Sequence, residues 1–154
     1  MKGQDLANYI INRAIELENP VSNLKLQKIL YFSNLLYFKK NKSFLIDDLN
    51  VNPFKACQIG PVIENIYHKY SNYGGLSINI SQLEPKIIDD EKFLNNIVFK
   101  LININLNILA TWCYNNNSVW AKIYNNGEGN HQIIDENFIK QDVKNFINLI
   151  KDIH

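Results

Sequence analysis

Few side chains in this sequence of 154 residues are of the types that perform nucleophilic or acid–base chemistry. The histidines are His68, His131 and His154, and the cysteines are Cys57 and Cys113. Cys57 and His68 would form a nucleophilic dyad if the fold brought them together. The favoured interpretation is that both cysteines are small buried residues and that His68 is a surface residue, because free cysteines are commonly buried. The sequence therefore predicts no catalytic residue.

Carboxylates are the other candidate ligands, and they form two clusters. Asp47 and Asp48 form the first cluster, and Asp89, Asp90 and Glu91 form the second. Oxygen ligands suit a hard cation, but neither cluster has the spacing of a calcium-binding loop. The second cluster fits better at the start of a helix, where the helix dipole favours negative charge. The sequence accordingly predicts no metal site and no cofactor.

Motifs for nucleotide binding, serine hydrolysis and zinc binding are missing from the sequence. There is no P-loop and no GxGxxG, and the short GEG at residues 127–129 is too weak a signal. No serine lies in a GxSxG turn. The two cysteines are 56 positions apart and form no CxxC motif. We therefore predict that the protein is not an enzyme.

Charge disfavours a nucleic-acid binder, and hydropathy argues against a membrane span. The 16 basic and 15 acidic residues leave a formal charge of +1, whereas a general nucleic-acid binder usually carries a basic excess. The only arginine is Arg13, which limits bidentate contacts to phosphate. No apolar run of about 18 residues is long enough to span a membrane, and the N-terminal residues lack the apolar region of a signal peptide. We expect a cytoplasmic protein without membrane or nucleic-acid partners.

The most unusual predicted element is a helix over residues 22–40, with Ser22 as its N-cap. Its sequence, LKLQKILYFSNLLYFKK, places apolar side chains around most of its circumference. A helix of this kind lies at the centre of a core. An amphipathic helix is predicted before it, over residues 4–18, and ends at Asn19 and Pro20.

Glycine and proline divide the middle of the chain. Pro61 suits the first position of a helix and Gly60 allows an unusual backbone angle just before it, so a helix is predicted over residues 62–70. Residues 47–58 are expected to form a loop or short extended pieces. Alternating apolar and polar residues allow a short strand over residues 76–80.

Three more helices are predicted in the second half of the chain. They cover residues 91–112, a short stretch capped by Ser118, and residues 136–153 with Asp135 as N-cap. The sequence has no long linker and no internal repeat. We therefore predict a mainly α fold: a single compact helical domain over residues 1–154, built around the central apolar helix, with a small short-stranded β element.

Two segments carry a resemblance to a known family. They are LKLQKILYF at residues 24–32 and CQIGPVIENIYHKY at residues 57–70. Together they resemble the Panacea domain, a phage-associated family of SocA-like antitoxins that is marked by an LKLQKLLY helix and a later Gly-Pro-Val turn. Residues 109–124 are similar to a later segment of that family. Trp120 is in place there, whereas Trp112 stands where histidine is usual.

The resemblance implies an antitoxin-like protein that neutralises a cognate toxin by direct protein–protein binding, without enzymatic activity or a cofactor. The toxin is expected to be encoded by the adjacent reading frame. One alternative is a proteolytic adapter, which delivers the toxin to a protease. Two alternatives come from other classes: an undescribed enzyme that uses Cys57 or His68, and a sequence-specific DNA-binding regulator.

Five residues are predicted to bind the partner. Lys25, Gln27 and Lys28 are the polar exceptions in the LKLQK segment of the central helix, and the two lysines are placed at the edge of the partner surface. Tyr67, Tyr70 and Tyr73 recur every three residues, and tyrosines are common interface anchors. The alternatives are a solvated face for the lysines and core packing for the tyrosines.

The family motif itself is predicted to be structural. Gln27 is expected to lie inside the protein and to hydrogen-bond the backbone near Gly60 and Pro61, because a buried amide must find partners. The motif residues to which a structural role is given are Leu24, Leu26, Gln27, Gly60, Pro61, Val62 and Trp120.

Overall fold

Seven α-helices and a three-stranded antiparallel sheet form the part of the chain that the computed structural model describes, residues 1–87 and 89–146. Of the described residues, 57% are helical, so the prediction of a mainly α fold with a small β element is confirmed. The helices are α1 (Gly3–Glu16), α2 (Asn23–Asn41), α3 (Glu64–Lys69), α4 (Glu91–Asn103), α5 (Leu106–Cys113), α6 (Val119–Tyr124) and α7 (Glu136–Asn145).

Helix α2 is the centre of the fold, as its apolar circumference predicts. Its N-terminus is capped by Ser22, whose hydroxyl oxygen accepts a hydrogen bond from the backbone N–H of Lys25 at 3.2 Å. Helices α1, α4, α5 and α7 all contact α2. Leu26, Leu30 and Leu35 of α2 are completely buried in the hydrophobic core that these helices share. The side chains of α2 therefore reach several elements that are distant in sequence.

The sheet consists of β1 (Phe54–Cys57), β2 (Gly60–Ile63) and β3 (Gln132–Ile134), in the order β2-β1-β3. Strands β1 and β2 form a tight hairpin that docks on α2. Strand β3 comes from the far end of the chain and pairs with the other edge of β1. The sequence does not predict β3, because a strand of three residues is too short to show an alternating apolar pattern.

The helix predicted over residues 62–70 is wrong at its start, because Gly60, Pro61 and Val62 belong to a strand. In the hairpin, Cys57 lies opposite Gly60 and Ala56 lies opposite Pro61. The φ angle of Gly60 is +107°, a backbone conformation that favours glycine. The β-branched side chain of Val62 also favours a strand. Helix α3 begins after these residues, at Glu64.

The single helix predicted over residues 91–112 is also wrong, because it is two helices. Ile104 is extended, and the side chain of Asn105 accepts a hydrogen bond from the backbone N–H of Asn107 at 2.8 Å. That bond caps a new helix, α5, whose axis is bent by 104° from that of α4. Asparagine competes with helical backbone bonds in this way, and the bend lets both helices contact α2.

No strand forms over residues 76–80. A single bridge joins Ser22 to Ser77, and Ile78 is buried while Leu76 and Ile80 are exposed. The alternation of apolar and polar residues is thus not matched by burial, because Ile78 is the one buried residue among the five. Pairing is limited to this bridge, in which the N–H of Ile78 donates a hydrogen bond to the carbonyl of Val21 at 2.8 Å.

The last helix begins as predicted, with the Asp135 carboxylate accepting a hydrogen bond from the backbone N–H of Phe138 at 3.0 Å. The rest of the predicted helix, over residues 147–153, lies outside the described residues.

The assignment of the whole chain to one Panacea-like domain stays a prediction. In the described ranges, no single helix is long and apolar enough to cross a membrane. The bent pair α4 and α5, taken together, has the length and composition of a membrane-spanning segment.

Candidate functional site

Two polar side chains of α2 form hydrogen bonds with the backbone of the β1–β2 hairpin. The side-chain oxygen of Gln27 accepts a hydrogen bond from the backbone N–H of Ile63 at 3.1 Å. One residue further along, the Lys28 ammonium donates to the backbone carbonyl of Ile59 at 2.7 Å. Gln27 thus lies where the sequence places it: it is buried and bonds the backbone next to the Gly-Pro-Val segment.

Trp120 fixes the same hairpin from another side. Its indole N–H donates a hydrogen bond to the backbone carbonyl of Cys57 at 2.6 Å, and its ring stacks on Tyr124 with centroids 4.9 Å apart. Helix α6 presents Trp120 because Ser118 caps that helix through the N–H of Ala121. The other motif residues are mostly inside the protein: Leu26, Gly60, Pro61 and Val62 are buried and Leu24 is half-buried.

Lys28 and Tyr70 do not lie where the partner-surface prediction places them. Only 1% of Lys28 and 3% of Tyr70 is exposed. Burial lowers the pKa of Lys28, and its ammonium also lies 5.3 Å from the centre of the Tyr114 ring. The Tyr70 hydroxyl accepts a hydrogen bond from the Gln4 amide at 3.0 Å. Both residues stabilise the interior, because long polar side chains are buried there only with partners.

The other three predicted partner residues are partly exposed. Lys25 is half-buried, donates a hydrogen bond to the backbone carbonyl of Ile102 and has a pKa lowered by burial. Tyr67 and Tyr73 keep part of their rings in solvent. The amide of Asn23 donates to the Tyr67 carbonyl at 2.8 Å, which ties the end of α3 to the start of α2. Their role as partner contacts stays a prediction.

The outer face of the hairpin lines a cavity of about 420 Å³. Residues from β1, α3 and the loop before β3 form its walls, so the cavity exists only because the three segments meet at the sheet. Its side chains include a thiol, a carboxylate, two imidazoles and a phenol, from Cys57, Glu64, His68, His131 and Tyr67.

Three of these groups converge within the cavity. The Nδ1 atom of His131 lies 2.7 Å from a carboxylate oxygen of Glu64 and 3.7 Å from the Sγ atom of Cys57. The ammonium of Lys55 lies 3.2 Å from the other Glu64 oxygen. Burial raises the pKa of Glu64, but hydrogen bonds from His131 and Lys55 outweigh it and leave that pKa below its ordinary value. Burial and the Glu64 charge raise the pKa of Cys57.

This geometry differs from that of a catalytic triad. In a triad the acid and the nucleophile bond different nitrogens of the imidazole ring. Here Cys57 and Glu64 both face Nδ1 of His131. The dyad hypothesis pairs Cys57 with His68, whereas the imidazole beside Cys57 belongs to His131. His68 lines the cavity but does not belong to the cluster of Cys57, Glu64 and His131. The contact between Cys57 and His131 is not predictable from the sequence, because 74 positions separate the two residues.

Comparison with known proteins indicates the antitoxins as the class that this chain resembles. The chain is 33% identical over 69 residues to antitoxin SocA of Caulobacter vibrioides (strain NA1000 / CB15N), a match that covers 45% of this chain and 35% of the relative. The chain thus spans about a third of the length of the curated relative that it matches. No family model and no solved structure matches the chain, so membership of the Panacea domain stays a prediction.

Proposed function

We propose that this protein is an antitoxin that binds a cognate toxin directly in the cytoplasm and so occludes the surface the toxin needs for its activity. The observation that carries the proposal is the similarity to antitoxin SocA over 69 residues. The toxin would be the product of the adjacent reading frame. Neutralisation by contact needs an accessible surface with apolar anchors, and one segment of the chain meets that requirement.

The segment that follows Tyr73 carries the most exposed apolar side chains near the predicted partner residues. Leu76, Ile80 and Leu83 are 75%, 63% and 85% exposed. These three side chains belong to one short segment, and patches of exposed apolar side chains are typical of protein interaction sites. Together with the part-exposed rings of Tyr67 and Tyr73, they define the binding face that we propose for the toxin.

The binding face is held in place before any partner arrives. Asn12 of α1 makes two hydrogen bonds to the backbone of Gln82: its amide donates to the carbonyl at 3.0 Å, and its oxygen accepts from the N–H at 2.7 Å. The guanidinium of Arg13 forms an ion pair with Glu84 at 2.9 Å. A segment that is already ordered loses less conformational entropy on binding, which favours tight association.

The test is co-expression of the chain with the product of the adjacent reading frame. We expect the neighbour alone to arrest growth, the pair to restore it, and the two proteins to co-purify as a stable complex. Restored growth with rapid loss of the neighbour, dependent on a protease, would replace occlusion with the proteolytic-adapter alternative. A neighbour that is not toxic and forms no complex would contradict the proposal.

A second arm separates binding from the enzyme alternative. The double variant Cys57→Ala/His68→Ala removes the two groups that the nucleophilic dyad would use. An antitoxin that acts by contact would still restore growth and still co-purify with the toxin, since neither residue belongs to the proposed binding face. Loss of rescue by a variant that stays folded and keeps the complex would favour chemistry at Cys57 or His68.

A further inference from the structure

We propose that Cys57, Glu64 and His131 form a binding site for a divalent transition-metal ion, with Zn²⁺ as the best fit. This inference is independent of the antitoxin proposal. It rests on the convergence of three donor atoms, a thiol sulfur, a carboxylate oxygen and an imidazole nitrogen, that all lie within 4.8 Å of one another.

The donor separations suit a shared metal ion. Tetrahedral zinc holds sulfur at about 2.3 Å and nitrogen at about 2.0–2.1 Å, which places two such ligands about 3.6 Å apart. The Cys57 Sγ and His131 Nδ1 atoms are 3.7 Å apart. The Glu64 oxygen is closer to Nδ1, at 2.7 Å, the distance of a hydrogen bond. A metal would replace that proton, and a small rotation of the carboxylate would open the gap to about 3.4 Å.

The backbone fixes each of the three donors. Cys57 is the last residue of β1 and Glu64 is the first residue of α3, so the hairpin between them sets their separation. The N–H of His131 donates to the carbonyl of Ala56 at 2.8 Å. His131 also has a φ angle of +67°, in the left-handed region that residues with a side chain adopt infrequently. Conformations of this kind are concentrated at functional sites.

The chemistry of the donor set selects the metal. A thiolate with an imidazole and one carboxylate favours zinc and its neighbours over magnesium or calcium, which prefer oxygen ligands alone. Lys55 contacts only the second oxygen of Glu64, at 3.2 Å, and so orients the carboxylate, leaving the first oxygen for the metal. Such outer contacts commonly orient metal ligands. Three protein ligands leave a fourth position that faces the cavity, where water would complete the tetrahedron.

The test is a titration of the purified, tag-free chain with Co²⁺ in a reductant that does not bind metals, followed by displacement with Zn²⁺. We expect one ion per chain and a sulfur-to-cobalt charge-transfer band in the near ultraviolet. Cys57→Ser should abolish the band. His131→Gln and Glu64→Gln should each weaken binding by roughly 10-fold or more, since even changes to outer ligands cost 10–100-fold.

Two matched controls keep the result specific. His68→Gln changes the other imidazole of the cavity, and Cys113→Ser changes the other thiol, which is buried away from the cluster. Both should bind the ion as the unchanged chain does. The exposed His131 side chain can be replaced without disturbing the core, so His131→Gln remains informative even if Cys57→Ser destabilises the fold. Absence of stoichiometric binding, or binding that His131→Gln and Glu64→Gln leave unchanged, would overturn the proposal.

Discussion

The side-chain oxygen of Gln27 lies 3.1 Å from the backbone nitrogen of Ile63 and accepts its hydrogen bond in the interior of the protein. The two residues are 36 positions apart and belong to the two segments that carry the family resemblance. The bond satisfies a backbone N–H at the end of β2, where α3 is about to begin. It therefore couples the central helix to the segment that carries Glu64.

Replacing Gln27 by leucine should lower the free energy of unfolding by about 1–3 kcal/mol, because it leaves a buried N–H without a partner. The change keeps a side chain of similar size, so little of the loss would come from a cavity. Gln58→Leu is the matched control: Gln58 is exposed in the hairpin turn, and such a change usually stays within about 0.5 kcal/mol. Urea unfolding measures both. Equal effects would mean that the Gln27 bond does not stabilise the fold.

A side chain at Gly60 should destabilise the fold through backbone strain. Its φ angle is +107°, and a Cβ atom would lie 3.4 Å from the Lys28 nitrogen and 3.6 Å from Cys113 Cβ. We expect Gly60→Ala to cost roughly 1–2 kcal/mol through backbone strain. Gly75→Ala is the control, since nothing lies within 4 Å of its Cβ position; it should be neutral or stabilise by up to about 1 kcal/mol. A thermal unfolding comparison in which Gly60→Ala is the more stable variant would contradict this account.

Local signals explain which elements the sequence predicts correctly. Ser22, Ser118 and Asp135 are confirmed as N-caps, because capping depends on a side chain and the backbone two or three residues later. Tertiary context decides the rest. The segment from Gly60 to Ile63 has helix-start residues but becomes a strand because β1 offers it hydrogen-bond partners, and β3 exists only because it pairs with β1.

The candidate site could not be predicted from the sequence, because tertiary contacts also bring its residues together. Cys57 and His68 are singled out as a possible dyad by residue type alone, yet the imidazole beside Cys57 belongs to His131. His131 reaches that position through the pairing of β3 with β1 and through its own left-handed backbone. Lys28, a surface residue by its charge, is buried, and its ammonium donates a hydrogen bond to the Ile59 carbonyl. Neither contact has a local signature.

The proposed binding face makes a prediction about the toxin complex. Leu76→Glu introduces a charge at a side chain that is 75% exposed, so the fold should be unaffected while the complex dissociates at least about 10-fold more readily, as expected for loss of an apolar anchor. Val51→Glu is the matched control, at a side chain that is 72% exposed in the segment before β1. Binding kinetics with the purified toxin measure both. If Val51→Glu weakens the complex and Leu76→Glu does not, the toxin binds elsewhere.

Asp142 is a buried carboxylate that holds three elements together. One oxygen accepts hydrogen bonds from the backbone N–H of Val119 at 2.8 Å and from the Asn145 amide at 3.0 Å, and the other accepts from the hydroxyl of Tyr31. Burial raises the pKa of Asp142 above its ordinary value of 3.8, although these hydrogen bonds oppose the shift. Asparagine at this position can keep all three contacts, because its amide group donates to the tyrosine oxygen.

The raised pKa fixes the sign of a pH dependence. Between the ordinary pKa and the raised one, the folded protein binds more protons at Asp142 than the unfolded chain, so its stability falls as pH rises. The free energy of unfolding of Asp142→Asn should therefore increase relative to that of the unchanged protein as pH rises from 3.8. The difference between the two proteins should become constant once pH passes the raised pKa. Asp142→Ala lacks the same titratable group, so it should follow the pH dependence of the Asn variant but stay about 1–3 kcal/mol less stable than that variant, because buried donors lose their partner. Urea unfolding from acidic to neutral pH measures all three proteins. An Asn variant that loses stability relative to the unchanged protein as pH rises would mean that hydrogen bonding outweighs burial at Asp142.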